Sequence, residues 1–358
     1  MKRYAKIALG LSVPAILAVS GVPAFSQSNE ADGDEATLAE PEAPYVRPDV
    51  QAYLDQVNSG PQMVFTKELL ARIRSMPAAN ALSSLDLPVG ELGEVRDLKM
   101  PGPDSEIALR LFDVRETREP GPVVVFYHGG GFVVGSIDTH AGLAAEMSRA
   151  LDLPVISVEY RLAPENPFPA APEDAVAAAR WIAENGEAFS REFTSLILSG
   201  DSAGGNLTLV ASAALAMDPA KLPVVMQLPI YPATDATLRH PSRDVFGDGY
   251  GLSSTNIALY EQHYAPVKDD WRRSPVLSDL TIMPPTVLVT ASLDPLRDEG
   301  RAFASKLIES GVPTSFYEAK GNVHGFATYR RAIPSSVEDV EAFLGQARSM
   351  LEEVVGAN

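Results

Sequence analysis

A chain of 358 residues, 46% of them hydrophobic and 21% charged, can bury a large core, which argues against a fibrous or disordered protein. A formal net charge of −18 argues against phosphate-backbone binding and anionic surfaces, and makes neutral substrates the expectation. The lack of cysteine rules out disulfides, a thiolate nucleophile and lipid attachment through cysteine.

Lys2, Arg3 and Lys6 precede an apolar run over 7–19, and Ala24 and Ser26 are small residues at the two positions a signal peptidase reads. Residues 1–26 therefore read as an export signal cut after Ser26. The run is shorter than the ~20 residues that span a bilayer, so no stable membrane insertion is expected after cleavage. The mature chain is expected in the periplasm or secreted. Cleavage removes three basic and no acidic side chains, taking the net charge from −18 to −21. Residues 27–44 hold six acidic residues and no basic one, and read as a solvated, flexible linker.

Helical spacing follows at Val50, Tyr53, Leu54 and Val57, and again at Leu69, Leu70 and Ile73 after Thr66. These helices precede any strand, so 45–90 is a candidate cap over a pocket. Alternating runs over 93–100 and 107–114, around the turn at Pro101-Gly102-Pro103-Asp104, predict an edge hairpin. Beyond it, strand patterns over 122–127, 155–158, 195–199, 224–230, 286–290 and 314–317 alternate with helix patterns over 141–151, 174–184, 206–215, 298–309 and 337–354. That alternation predicts an α/β fold with a mostly parallel central sheet flanked by helices. Residues 234–275 lack a clear strand and hold one predicted helix over 256–264, so they form a second candidate cap segment. The catalytic body is then 91–233 and 276–358.

Gly200-Asp201-Ser202-Ala203-Gly204 spells G-x-S-x-G between a strand pattern and a helix pattern. Small residues two before and two after the serine let a sharp turn lift its hydroxyl clear of the backbone. A serine needs a base, and the base needs an acid to orient it. Of five histidines, His324 alone follows a late strand in a loop of small residues; His240 and His263 fall in the second cap segment. Asp294 ends the apolar run 286–291 and is preferred over Asp298, which opens a helix where an acid is ordinary capping chemistry. The chain order Ser, Asp, His is that of α/β-hydrolases. His128-Gly129-Gly130-Gly131 follows another strand. Its glycines can turn N–H groups toward one point, so Gly130 and Gly131, with Ala203 at the helix start, are candidate oxyanion donors. His128 and Gly129 are assigned to shaping that loop, and no G-K-[ST] or G-x-G-x-x-G spacing supports a phosphate site.

Together, His128-Gly129-Gly130-Gly131-Phe132, 160–165, 200–205, 294–300 and His324-Gly325-Phe326 resemble the hormone-sensitive lipase family of bacterial esterases, in its Gly-Asp-Ser-Ala-Gly-Gly branch. The likeness runs from about Val46 to the last helix. It implies the α/β-hydrolase fold with a small helical cap, and a serine carboxylesterase acting on short- to medium-chain acyl esters. In that reading Ser202 is the nucleophile, His324 the base and Asp294 the orienting acid. The resemblance also implies no cofactor or metal, a small-molecule ester as substrate, and a homodimer through an edge strand. Asn166 and Asn322 depart from the usual pattern without touching a triad position.

Activity is expected to fall as the histidine base protonates. Thioesterase, amidase or acyltransferase chemistry on the same triad, or a non-catalytic ligand-binding member of the fold, stay open on the residues alone, although His324 with Asp294 argues against a lost base. Phe65, Tyr250, Leu252, Tyr260 and Phe326 are candidate substrate contacts.

Overall fold

The computed structural model describes residues 43–60, 66–75 and 82–356. The readings on 1–26, on the linker up to residue 42 and on Phe65 lie outside the described residues. In chain order the elements are α1 (Pro48–Asn58), α2 (Lys67–Ser75), β1 (Glu94–Pro101), β2 (Glu106–Asp113), β3 (Gly121–Tyr127), α3 (Ala141–Leu151), β4 (Val155–Glu159) and α4 (Ala170–Glu184). There follow β5 (Phe193–Asp201), α5 (Ala203–Met217), β6 (Val224–Ile230), α6 (Ser242–Val245), α7 (Ser254–Tyr264), β7 (Thr286–Leu293), α8 (Arg297–Glu309), β8 (Thr314–Val323) and α9 (Ser336–Gly356).

The eight strands form one sheet in the order β1-β2-β4-β3-β5-β6-β7-β8. The β1–β2 hairpin is antiparallel and β2 runs antiparallel to β4, whereas every pairing from β4 to β8 is parallel. Period-two alternation sorts the side chains of β3 into two cores. Val123, Val125 and Tyr127 pack with Ala175 and Ala179 of α4 and Leu207 and Ala211 of α5. On the other face, Val124 and Phe126 pack with Leu143 and Met147 of α3 and Phe343 and Leu344 of α9. A strand buried on both faces must be apolar throughout, which is why β3 reads as an unbroken hydrophobic run.

Register sets what comes together at the strand ends. Tyr127 pairs with Gly200, so the loop leaving β3 starts beside the turn leaving β5. On the other side, a shift between Ala291 and Leu293 sets Leu293 opposite Val323, so the residues after β7 and β8 are neighbours. The predicted strand 314–317 is only the first part of β8. Glu318 pairs with Thr290 and Ala319 with Ala291, and Gly321 donates to Ser292 Oγ at 2.7 Å, which carries the strand through polar residues to Val323. Helix α4 starts four residues before the predicted 174, and Pro172 in its first turn lacks only an N–H that has no intrahelical acceptor.

Helix α1 starts at Pro48, and its buried Val50 and Leu54 share a cluster with Leu293, Val323, Ile333 and Phe246. Its entry is fastened by Arg47, whose guanidinium grips the buried carboxylate of Asp339 at 2.7 and 2.8 Å. Asp339 also accepts from Asn322 Nδ2 at 2.8 Å and Tyr317 hydroxyl at 2.7 Å. Asn58 of α1 donates to Gly249 O at 2.8 Å, tying the N-terminal helices to the 234–275 segment. In that segment, Ser253 Oγ caps α7 by accepting from Asn256 N–H at 3.1 Å.

Candidate active site

Ser202 stands between the end of β5 and the start of α5 with φ 55° and ψ −114°, a backbone conformation that a side-chain-bearing residue rarely holds. The turn closes because its flanks are bare. A methyl group at Gly204 would collide with the carbonyl of Tyr127, and one at Gly200 with the carbonyl of Gly204. Ser202 N–H donates to Ile230 O at 2.8 Å, fixing the turn to β6.

His324 follows β8 directly. Its Nε2 lies 2.8 Å from Ser202 Oγ and its Nδ1 lies 2.7 Å from Asp294 Oδ2, while the Tyr231 ring packs 4.8 Å from the imidazole. Asp294 is fully buried, and its other oxygen accepts Leu296 N–H at 2.7 Å. The structure thus brings Ser202, His324 and Asp294 into one hydrogen-bonded chain. Asp298, the rejected acid, faces elsewhere: it accepts Ser242 N–H at 2.9 Å and pairs with Arg297 at 2.8 Å. His240 pairs with Asp235 at 3.3 Å, and neither it nor His263 lines the cavity over Ser202.

The loop after β3 wraps toward the same point. Gly130 and Gly131 have φ 121° and 61°, and both line the cavity beside Ser202 and Ala203. Ala203 is the first residue of α5, where N–H groups have no intrahelical acceptor and the helix dipole is positive. A side chain at Gly131 would run into the Tyr260 ring. Gly129 N–H donates to Asp201 Oδ1 at 2.7 Å, so the residue before the nucleophile holds the start of the glycine loop.

Asp201 also faces His140 Nε2 at 3.2 Å, a contact the sequence reading did not find. Burial opposes the charge on both, but each group's attraction to the other outweighs it, so the histidine pKa is raised and the carboxyl pKa lowered. His128 is different. Burial first, and then the charge of His140, push it down to about 3, so it stays neutral. It stacks on Tyr160 at 4.3 Å and its Nδ1 lies 2.8 Å from Gly129 O, which fits the loop-shaping role expected of it.

The cavity measures about 660 Å³ and is mostly apolar. Helices α1, α2 and α7 supply much of its wall through Tyr53, Leu69, Ile73, Ile257 and Tyr260. Leu252 and Tyr260 line it as expected. Tyr250 does not: its ring packs edge-on against Phe246 at 5.1 Å and turns away from the cavity. Phe326 does not either, because Gly325 at φ 86° sends the chain back toward the sheet, where Phe326 is fully buried between Tyr231 and Phe343. Arg243 and Arg273 join the wall from the 234–275 segment. Among the described residues no group of histidine and acidic side chains is arranged to hold a metal ion.

A family model described as alpha/beta hydrolase fold matches residues 124–328. Esterase LipI of Mycobacterium tuberculosis is 36% identical over 272 residues, covering 74% of this chain and 84% of that protein. An arylesterase of Saccharolobus solfataricus is 34% identical over 284 residues, covering 78% and 91%. Among solved structures, an esterase of Pyrobaculum calidifontis superposes with a TM-score of 0.77 at 31% identity, covering 86% of this chain and 99% of that one.

Proposed function

From its membership of the α/β-hydrolase fold family, in the hormone-sensitive-lipase-like branch of carboxylic ester hydrolases, we propose that this chain cleaves short- to medium-chain acyl esters through an acyl-enzyme on Ser202. The observation that carries the reading is the Ser202–His324–Asp294 chain, at 2.8 and 2.7 Å, at the foot of a cavity lined by Gly130, Gly131 and Ala203.

Ser202 Oγ attacks the ester carbonyl while His324 Nε2 takes its proton, and the buried Asp294 carboxylate stabilises the imidazolium through Nδ1–H. The carbonyl oxygen becomes an oxyanion held by N–H groups of Gly130, Gly131 and Ala203, where preorganised donors in a partly dry site outperform water. The tetrahedral centre collapses, the carbon–oxygen bond to the alcohol breaks, and His324 returns the proton to the departing alkoxide. Water then attacks the acyl-enzyme by the same steps, releasing the acid and restoring Ser202.

The cap reading is supported by the share of the cavity wall that comes from α1, α2 and α7. Export from the cell, with a mature N-terminus near Gln27, belongs to the same proposal and is checked by N-terminal sequencing of the protein recovered from outside the cytoplasm. Hydrolysis of p-nitrophenyl esters from acetate to palmitate tests the activity. Rates should peak at short or medium chains and vanish in Ser202→Ala. A folded wild type inactive at every chain length would sink the proposal.

A further inference from the structure

The cavity wall away from Ser202 carries more hydrogen-bond donors than it has acceptors for. Arg243 gives one Nη to Glu299 Oε2 at 2.8 Å, and its Nε has no partner. Arg273, only 4% exposed, gives one Nη to Glu261 Oε1 at 3.3 Å and leaves Nε and the other Nη unpartnered. The buried Tyr264 hydroxyl is unpartnered as well. All three residues line the cavity, and Asn256 Oδ1 is the sole unpartnered acceptor among the described buried side-chain atoms of its wall.

The carboxylates nearby are already committed. Glu299 is fully buried, and its other oxygen takes Thr234 N–H at 2.9 Å. Glu261 serves Arg273 and also Lys268 at 3.5 Å. Three cations therefore share two carboxylates, a local positive surplus in a chain of net charge −18. Arg273 is also fixed relative to the nucleophile: its carbonyl accepts Asn206 Nδ2 at 3.0 Å, and Asn206 lies one turn along α5 from Ser202.

Unpartnered guanidinium N–H groups in a low-dielectric wall are costly, and the acceptor that best matches their fork is a carboxylate. We propose that the cavity takes esters bearing a carboxylate in their acyl or alcohol part, seated on Arg273 and Arg243 while the ester carbonyl lies at Ser202. This narrows the substrate class of the proposed function and rests on that reading. It also reverses the expectation of neutral substrates. Distant surface charge is screened beyond about 8–10 Å at physiological salt, whereas contact inside the cavity is not.

The test is pH-stat hydrolysis by the wild-type enzyme of two matched pairs: monoethyl adipate against ethyl hexanoate, and 4-acetoxybutanoate against butyl acetate. In at least one pair the anionic ester should exceed the neutral one in kcat/KM by about tenfold or more, the worth of a charge-assisted contact. Arg273→Met should lower that ratio by about tenfold or more. Arg180→Met, at an arginine paired with Asp218 away from the cavity, should keep the ratio of the wild type. Should Arg273→Met fail to fold, inhibition of the wild type decides: adipate should compete with ethyl hexanoate where adipamide does not. Ratios at or below one in both pairs, or a ratio that survives in folded Arg273→Met, overturn the inference while leaving ester hydrolysis intact. Failure of the folded wild type on all four esters removes the proposed function, and the inference with it.

Discussion

At Asp294 the buried carboxylate gives one oxygen to His324 and the other to the Leu296 N–H, so it sets the tautomer and aim of the base. Asp294→Asn should keep the fold but lower kcat by about 10⁴, because an amide facing Nδ1 favours the wrong tautomer. Asp201 and His140 act one layer back. The histidine pKa is raised, so its contribution is fully present below about pH 6.5 and fades as pH rises through the folded value. The carboxyl pKa is lowered, so its contribution holds above about pH 3.9 and fades as pH falls through its folded value. His140→Gln should therefore erase an alkaline decline in kcat that the wild type shows, read from rate profiles of both proteins. Ser202 was legible because its turn demands small neighbours within four residues. His140 was not: it meets Asp201 only after 61 residues of chain have folded back, and nothing local records that meeting.

Helix α7 carries Tyr260 against Gly131 and Tyr264 stacked at 4.0 Å on Phe132, so it roofs the glycine loop. Tyr260→Ala should open that roof and move the preferred acyl chain longer by about two carbons or more, seen in the p-nitrophenyl series. Helix α1 depends on its Arg47 clasp. Arg47→Ala leaves buried Asp339 with only Asn322 and Tyr317, and should cost about 1.5–3 kcal/mol in urea unfolding. Sequence periodicity found α1, α2 and α7 because each has a stripe to bury. The end of β8 escaped it, since Glu318, Lys320, Gly321 and Asn322 are held by ladder bonds and side-chain partners and carry little apolar pattern. Tyr250 and Phe326 were misjudged for a related reason. Aromatic identity gives the size of a side chain, but the glycine beside each one sets where it points.

Across the whole molecule the parallel sheet was legible because strands buried on two faces and helices buried on one have different periods. The charge of the cavity was not, because −18 averages over a surface that the pocket does not share. For a neutral ester, kcat/KM should vary by less than about twofold between roughly 0.05 and 0.5 M salt, since no long-range attraction steers it. The bond from Gly129 to Asp201 joins the oxyanion loop to the nucleophile turn, so neither can drift far alone. Heat inactivation should then be a loss of whole catalysts rather than a slackening of each. A phosphonate that titrates reactive serines would count fewer live sites as heating proceeds, and every site still counted would turn over at its original rate.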